Sequence, residues 1–171
     1  MYQKFINSLY ISFIIILISF SARSAEDLKS IGKFKDWETF TVIENNNKIC
    51  FAQSIPILRA PKKFERNPSR LFISFRPNEN IMDEVSATSG YAFQKEKNVT
   101  AKTGKNTFDF FAQENFAWIL NAEEEQKFIQ AMKKASRVMI IGRTDKGKQT
   151  IDHYSLMGFS KAYNTAKKNC S

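Results

Sequence analysis

Short runs of β-branched and aromatic residues, separated by turn residues, recur along most of the chain and constrain its fold more than any other feature. Each run has the length of one strand, and Pro, Gly or Asn residues lie between many of them. The strands predicted from this pattern cover residues 36–43, 48–55, 71–75, 83–89, 99–103, 107–111, 116–120, 137–141 and 150–156. Many short strands joined by turns predict a mainly β domain, an antiparallel β-sandwich or barrel-like structure.

Two helices are predicted within this β-rich pattern. The mid-chain helix is expected to start at a cap on Asn121, because Glu124 follows at the spacing of a capping box and an apolar stripe follows in turn. Gly158 interrupts the last strand. Ser160 is then expected to cap a short C-terminal helix that ends near Lys168.

The first 24 residues have the pattern of a secretory signal peptide. Lys4 precedes an uncharged apolar run over residues 9–20, and the small residues Ala22 and Ser24 occupy the −3 and −1 positions of a cleavage site. An uncleaved membrane anchor is the alternative, although a span takes about 20 apolar residues and polar residues interrupt this run. We therefore expect a signal peptide over residues 1–24, a lead-in over residues 25–35, and one exported domain over residues 36–171 with no transmembrane segment, in the periplasm or outside the cell.

Export determines how the two cysteines are interpreted. Two thiols in an oxidising compartment most often pair, and the C-x-x-C spacing of redox-active pairs is absent. The sequence therefore predicts a structural disulfide between Cys50 and Cys170, which would fix the C-terminus. One His and two Cys also provide too few ligands for the common zinc, haem and iron–sulfur sites, so no metal or other cofactor is expected.

A proline-punctuated loop carries the strongest concentration of positive charge in a chain whose formal net charge is +9. We refer to it as the basic loop, and its cationic residues are Arg59, Lys62, Lys63, Arg66 and Arg70. One hypothesis is that it meets an anionic partner such as lipid headgroups or polysaccharide; the alternative is an ordinary solvated loop. Export, and the excess of Lys over Arg, argue against nucleic acid as that partner.

Aromatic residues provide a second candidate surface. Trp37, Trp118 and Tyr91 are the aromatic residues that we consider for an exposed cluster, which would favour recognition of a protein or a glycan. The alternative is that they belong to the hydrophobic core, where most aromatic side chains of β-sandwiches lie.

No catalytic motif is present in the sequence. His153 is the single histidine, and the chain has neither a G-x-S-x-G elbow nor a glycine-rich phosphate loop. Asp109 and Asp152 are the acids that we most expect to be partly buried, each satisfied by a backbone group or a lysine. The leading hypothesis is a non-catalytic exported protein that binds a protein or an envelope component; an envelope hydrolase using paired carboxylates and a purely structural periplasmic protein are the alternatives.

A set of landmarks in a fixed order resembles the invasion-associated locus B family of exported proteobacterial proteins. The landmarks are residues 36–37, 48–51, 90–93, 117–118 and 131–133, then Gly147, Thr150, Asp152 and residues 154–162, which contain a Leu-x-Gly-Phe-x-x-Ala segment, followed by the near-terminal Cys170. The resemblance implies a β-rich periplasmic or secreted domain without an established enzymatic site; some members are linked to entry into host cells. Better-known members carry a further pair of cysteines in the middle of the domain, which this sequence lacks.

Overall fold

The strands of the protein form a single antiparallel sheet in a computed structural model that describes residues 28–171. The predicted signal peptide lies outside the described residues. The strands are β1 Lys29–Phe34, β2 Trp37–Glu44, β3 Asn47–Ser54, β4 Leu58–Ala60, β5 Arg70–Arg76, β6 Ile81–Thr88, β7 Val99–Thr103, β8 Asn106–Gln113, β9 Phe116–Trp118, β10 Arg137–Arg143 and β11 Gln149–Ser155. Their order across the sheet is β1-β2-β3-β5-β6-β9-β8-β7-β10-β11-β4. This architecture confirms the predicted fold class.

Two strands were not expected from the sequence. β1 lies within the segment predicted as a polar lead-in, where it pairs with β2 around a register shift near Gly32. β4 has only three residues and lies between Pro56 and Pro61, in the segment predicted as a loop. Both strands form edges of the sheet and pair on one side only, so neither needs the apolar alternation that identifies the other strands.

Two helices cover the inner face of the sheet. α1 spans Ala122–Lys134 and packs against β6 and β8; α2 spans Phe159–Asn169 and packs against β1, β2, β3 and β5. The predicted cap of α1 is confirmed, since Asn121 Oδ1 accepts hydrogen bonds from the backbone N–H groups of Glu123 and Glu124. The expected cap of α2 is wrong: Gly158 occupies that position without a side-chain bond, and Ser160 is exposed within the first turn. Within residues 28–171, no helix is both long and apolar enough to cross a membrane.

Aromatic side chains from the helices fill the space above the inner face. Phe128 of α1 packs edge-to-face on Phe108 and Phe110, with ring centroids 5.1 Å and 5.4 Å away. Phe159 of α2 packs against Trp37, which is 1% exposed, at a centroid distance of 4.8 Å. Both sets of contacts are of the tilted or edge-on kind that aromatic pairs prefer, so the two helices are attached to the sheet largely through rings.

The sheet curls so that strands near its two ends meet. Trp37 Nε1 of β2 donates a 2.9 Å hydrogen bond to the carbonyl oxygen of Ser155 in β11. Beside it, the N–H of Asp36 donates to the carbonyl oxygen of Met157 at 3.3 Å. These bonds join the β1–β2 turn to the end of β11.

The predicted disulfide joins Cys50 of β3 to Cys170, the residue after α2. The two Cα atoms are 5.8 Å apart, and 120 positions separate the two residues in the sequence. Both cysteines are buried. The C-terminal helix is thus linked covalently to the strand on which it packs.

Gly158 is required where the chain turns from β11 into α2. Its φ is +93°, and a Cβ atom there would lie 1.8 Å from the carbonyl oxygen of Phe34 in β1. The obstacle is backbone, so it cannot be relieved by rotating a side chain. By contrast, Gly147 has a φ of +78°, but a Cβ atom at that position would meet no other atom within 4 Å.

We predict that Gly158→Ala lowers the free energy of unfolding by about 3 kcal/mol or more, because it adds a clash with the backbone of β1 to the cost of a positive φ. The matched control Gly147→Ala meets only the conformational cost, about 1–2 kcal/mol. Urea unfolding of both variants measures the difference. Equal losses of stability would show that the approach of β1 to residue 158 is not a tight constraint.

Candidate binding surface

A row of aromatic side chains lies on the outer face of the sheet, opposite the helices. Alternation along each strand places them there: in β2, for example, Trp37 and Thr39 point inward and are buried, whereas Phe40 points outward and is half-buried. Phe111 and Phe116 are the most exposed, at 47% and 41%. We call this surface the outer aromatic face; its members are Phe40, Phe51, Phe72, Phe111, Phe116 and Trp118.

Strand register brings these rings together in two groups. Phe40 and Phe51 are directly opposite across β2 and β3 and stack at 5.3 Å, and Phe72 packs edge-on against Phe51 at 6.0 Å. In the second group, Trp118 stacks on Phe116 at 5.8 Å and is paired across β9 and β8 with Phe111. Cross-strand aromatic pairs stabilise a sheet, so these rings have a structural role as well.

The strip of sheet between the two groups of rings has little exposure to solvent. Ser74 of β5 and Ser86 of β6 point outward, yet they are only 9% and 6% exposed. Ser86 lies between Phe72 and Trp118 in the register of the three strands. The two groups of rings therefore flank a polar strip rather than an open gap.

Ion pairs border the outer aromatic face. Arg76 donates from two nitrogens to the carboxylate of Glu84, at 2.9 Å and 2.7 Å, and from Nε to Glu79 at 2.9 Å. The hydrogen bond to Glu84 contributes most to raising the pKa of Arg76. These side chains hold a fixed pattern of charge at the margin of an apolar surface, as at the rim of a protein interface.

Only one of the three aromatic residues proposed from the sequence belongs to this surface. Trp118 does, whereas Trp37 is a core residue, because its position in β2 directs it toward α2. Tyr91 is half-buried, hydrogen-bonded through its hydroxyl to Thr150 and packed against Arg66. The phenylalanines of the outer aromatic face were missed, because alternation along β2, β3 and β5 separates two sets of side chains without showing which set is buried.

Arg66 of the basic loop is buried, contrary to the hypothesis of a surface patch. Its guanidinium forms a two-pronged ion pair with the carboxylate of Asp152 in β11, and the two side chains are 1% and 0% exposed. Nη1 also donates to the carbonyl oxygen of Ser89 at 2.6 Å and to Ser69 Oγ at 2.9 Å. Arg66 therefore anchors the loop to the sheet and is not available to an anionic partner.

The remaining charges of the basic loop do not form one surface. Arg59 Nη2 donates to the backbone carbonyl oxygens of Arg66 and Asn67, so its guanidinium supports the loop from within. Arg70 is half-buried in β5, while Lys62 and Lys63 are exposed. Binding of an anionic partner by the two exposed lysines stays a prediction.

We predict that Asp152→Asn and Arg66→Met each lower the free energy of unfolding by about 3–5 kcal/mol, since each leaves a buried charge without its partner. The double variant Arg66→Met/Asp152→Asn is expected to lose less than the sum of the two single changes. Lys62→Ala is the control and should change stability by less than about 0.5 kcal/mol. Additive losses in chemical unfolding would contradict a coupled ion pair.

The candidate catalytic groups lie on two strands, with Asp109 in β8 and Asp152, His153 and Ser155 in β11. Asp109 is exposed on the outer side of β8, contrary to the expectation of partial burial, because it alternates with the inward-facing Phe108 and Phe110. Asp152 is buried as expected, but its partner is an arginine rather than a lysine or the backbone. His153 is half-buried, and Ser155 Oγ accepts a hydrogen bond from the N–H of Met157. Within residues 28–171, no group of three metal-ligating side chains converges.

Two buried carboxylates hold the helices to β6 beneath the outer aromatic face. Asp83 accepts hydrogen bonds from the hydroxyl of Tyr163 in α2 at 2.6 Å and from Gln126 in α1 at 2.7 Å, and Lys167 lies 3.5 Å away. Glu125 of α1 accepts a 3.0 Å hydrogen bond from the backbone N–H of Val85. Glu125 thus accepts a hydrogen bond from an amide of β6 that lies beyond the residues paired with the short strand β9.

The burial of Glu125 raises its pKa. Desolvation on burial raises its pKa to about 7, opposed by the hydrogen bond from Val85 and aided by the nearby charges of Glu84 and Asp83. A raised pKa in the folded state means that folding favours the protonated form. The contribution of this group to stability is therefore fully present below about pH 4.5 and is lost as the pH rises through about 7.

We predict that the free energy of unfolding of the wild type falls by about 1–2 kcal/mol between pH 5 and pH 8 through Glu125. Glu125→Gln keeps an acceptor for the N–H of Val85 but removes the charge, so it should abolish this part of the pH dependence and be more stable than the wild type at pH 8. Glu124→Gln, on the exposed side of α1, is the matched control. Parallel pH profiles for the wild type and Glu125→Gln would contradict the assignment.

A protein whose crystal structure has been solved has a similar fold. The chain is similar to the crystal structure of invasion associated protein B from Bartonella henselae, with a TM-score of 0.54, 15% sequence identity, and coverage of 81% of this chain and 94% of that chain. No family model and no curated protein matches the sequence. The resemblance inferred from the ordered landmarks is thus supported at the level of the fold.

Proposed function

We propose that this chain is an exported, non-catalytic protein that binds a protein or a cell-envelope component through the outer aromatic face. The observation that carries the proposal is the gathering of six aromatic side chains on one solvent-facing surface of the sheet. Within residues 28–171, both helices pack on the opposite side. Exposed apolar residues that occur singly are ordinary, but two groups of aromatic side chains on one face, bordered by charges, are typical of a binding surface.

The energetics of this surface favour a partner. Phe111 and Phe116 leave large apolar areas in contact with water, and removal of apolar area from water contributes about 25 cal/mol per Å². The rings are held by stacking within the sheet, so little side-chain freedom would be lost on binding. Rigid aromatic anchors with a charged rim are the arrangement in which a few residues carry most of the binding energy.

Export is supported by two features. Residues 1–24 have a signal-peptide pattern, and the two cysteines are paired. Paired cysteines are typical of oxidising compartments. The periplasm or the cell exterior is the corresponding location.

The alternative of a carboxylate hydrolase receives less support. Asp109 points outward from β8 while Asp152 is buried in an ion pair, so the two acids do not face a common cleft.

Co-sedimentation with envelope fractions of the source bacterium tests the proposal. The purified protein should pellet with outer-membrane or cell-wall fragments, and Phe111→Thr/Phe116→Thr should reduce the bound fraction several-fold because it removes the two most exposed rings. Threonine retains the β-propensity of the two positions. Ile43→Thr/Ile57→Thr is the matched control, since both residues are exposed and lie outside the outer aromatic face.

Two results would count against the proposal. If the wild type stays in the supernatant with every fraction, none of those envelope fractions contains a component that binds the protein. If the phenylalanine variant binds as the wild type does, the outer aromatic face is not the contact surface. Export is tested separately by fractionation and intact mass, which should show the loss of residues 1–24.

A further inference from the structure

We propose that Asn98 is an acceptor site for N-linked glycosylation. Asn98-Val99-Thr100 has the Asn-x-Ser/Thr pattern in which the side-chain amide can be joined to an oligosaccharide. The inference rests on the proposed export, because such transfer takes place beyond the cytoplasmic membrane. It adds a covalent modification to the proposed function and does not depend on the identity of the binding partner.

The side chain of Asn98 is accessible to solvent in the folded chain. The residue is exposed and lies in irregular backbone immediately before β7, after a turn in which Glu96 has a φ of +59°. Among residues 28–171, no hydrogen bond to its side-chain amide is formed by another side chain or by the backbone. Thr100, two residues later, points to the solvent side of β7, because Val99 and Ala101 point inward.

A second Asn-x-Ser/Thr sequence provides an internal contrast. Asn169-Cys170-Ser171 has the same pattern, but Asn169 lies in the last turn of α2 and its amide donates a 2.8 Å hydrogen bond to the carbonyl oxygen of Thr165. Cys170 between the two is committed to the disulfide. The third candidate, Asn67-Pro68-Ser69, has proline at the position that excludes modification. Of these three sequences, only the one at Asn98 is both exposed and free of such constraints.

Charge distinguishes Asn98 further. Glu96 lies two residues before it, whereas Lys167 occupies the same position relative to Asn169. Glu96 is exposed, so its carboxylate is open to a basic group on a transferase. An enzyme that requires an acid at this position would select Asn98 and reject Asn169.

The transfer is balanced without oxidation or reduction. The amide nitrogen Nδ2 of Asn98 forms a bond to the anomeric carbon of an oligosaccharide carried on a polyprenyl diphosphate. The bond between that carbon and the diphosphate oxygen breaks, the polyprenyl diphosphate departs with the electron pair, and one amide proton passes to a base of the oligosaccharyltransferase.

Strand pairing next to Asn98 limits the access of a transferase to the folded chain. Val99 and Thr100 are paired with Phe110 and Asp109 of β8, and Thr100 is paired with Ile141 of β10 as well. An acceptor strand that must enter a transferase has to leave these partners. Modification is therefore expected to be faster on the reduced, unfolded chain than on the folded one.

The attached sugar would lie beside one end of the outer aromatic face. Asn98 shares a groove of about 490 Å³ with Phe111 and with Leu120, which is 75% exposed. A glycan starting there would shield these apolar side chains from water. Because Phe111 is also one of the two most exposed rings of the proposed binding surface, a glycan there would weaken the contact with a partner.

The test is transfer in vitro to the purified chain. A bacterial oligosaccharyltransferase that selects an acid two residues before the asparagine is supplied with a polyprenyl-diphosphate oligosaccharide, and intact mass with peptide mapping is the readout. The expected result is a gain of one oligosaccharide on the peptide that contains Asn98, in the folded or the reduced form. Asn98→Gln should abolish the gain, Glu96→Gln should reduce its rate several-fold, and Asn169→Gln should leave it unchanged.

Absence of the mass gain from both forms of the chain, under conditions in which a short acidic acceptor peptide is modified, would overturn the inference. Transfer to Asn169 in place of Asn98 would overturn it too. Because the assay uses purified protein, it does not depend on export, which the fractionation experiment decides, or on envelope binding, which the sedimentation experiment decides.

Discussion

The disulfide between Cys50 and Cys170 is the constraint on which the rest of the architecture depends. It joins the C-terminal helix to the third strand across most of the described chain, and a closed loop of this length stabilises a fold by about 4–5 kcal/mol in the chain-entropy account. Around it, Thr39 donates to the carbonyl oxygen of Ala162, and Phe159 packs on Trp37. The first strands and the last helix therefore form one packing unit, although they come from opposite ends of the described residues.

That packing unit decides which side of the sheet is left to solvent. The inward positions of β2, β3 and β5 are taken by side chains that meet α2, so the phenylalanines at the alternate positions face outward. The same division places Asp83 and Glu125 between helices and sheet, where the raised pKa of Glu125 reports on the contact. The proposed binding surface and the pH-sensitive contact thus lie on opposite sides of the same layer of strands.

Local sequence patterns predicted the strands, the cap at Asn121 and the cysteine pair, because each depends on neighbouring residues or on the cellular compartment. The exposed face was not predictable in the same way, since β2 carries Trp37 and Phe40 on opposite sides and either could have been the buried one. The partner of Asp152 was missed because Arg66 lies 86 positions away and is brought to it only by tertiary structure. β1 and β4 were missed because edge strands need no apolar alternation.

The covalent bridge also sets how the molecule responds to mechanical load. If the chain is pulled from Leu28 and Ser171, tension passes along β1 and β2 to Cys50, crosses the sulfur atoms and leaves at Cys170. The segment between the two cysteines, which holds most of the sheet and α1, carries no extending force while the bridge is intact. Stretching would then peel only the outermost hairpin, and most of the outer aromatic face would keep its shape under strain.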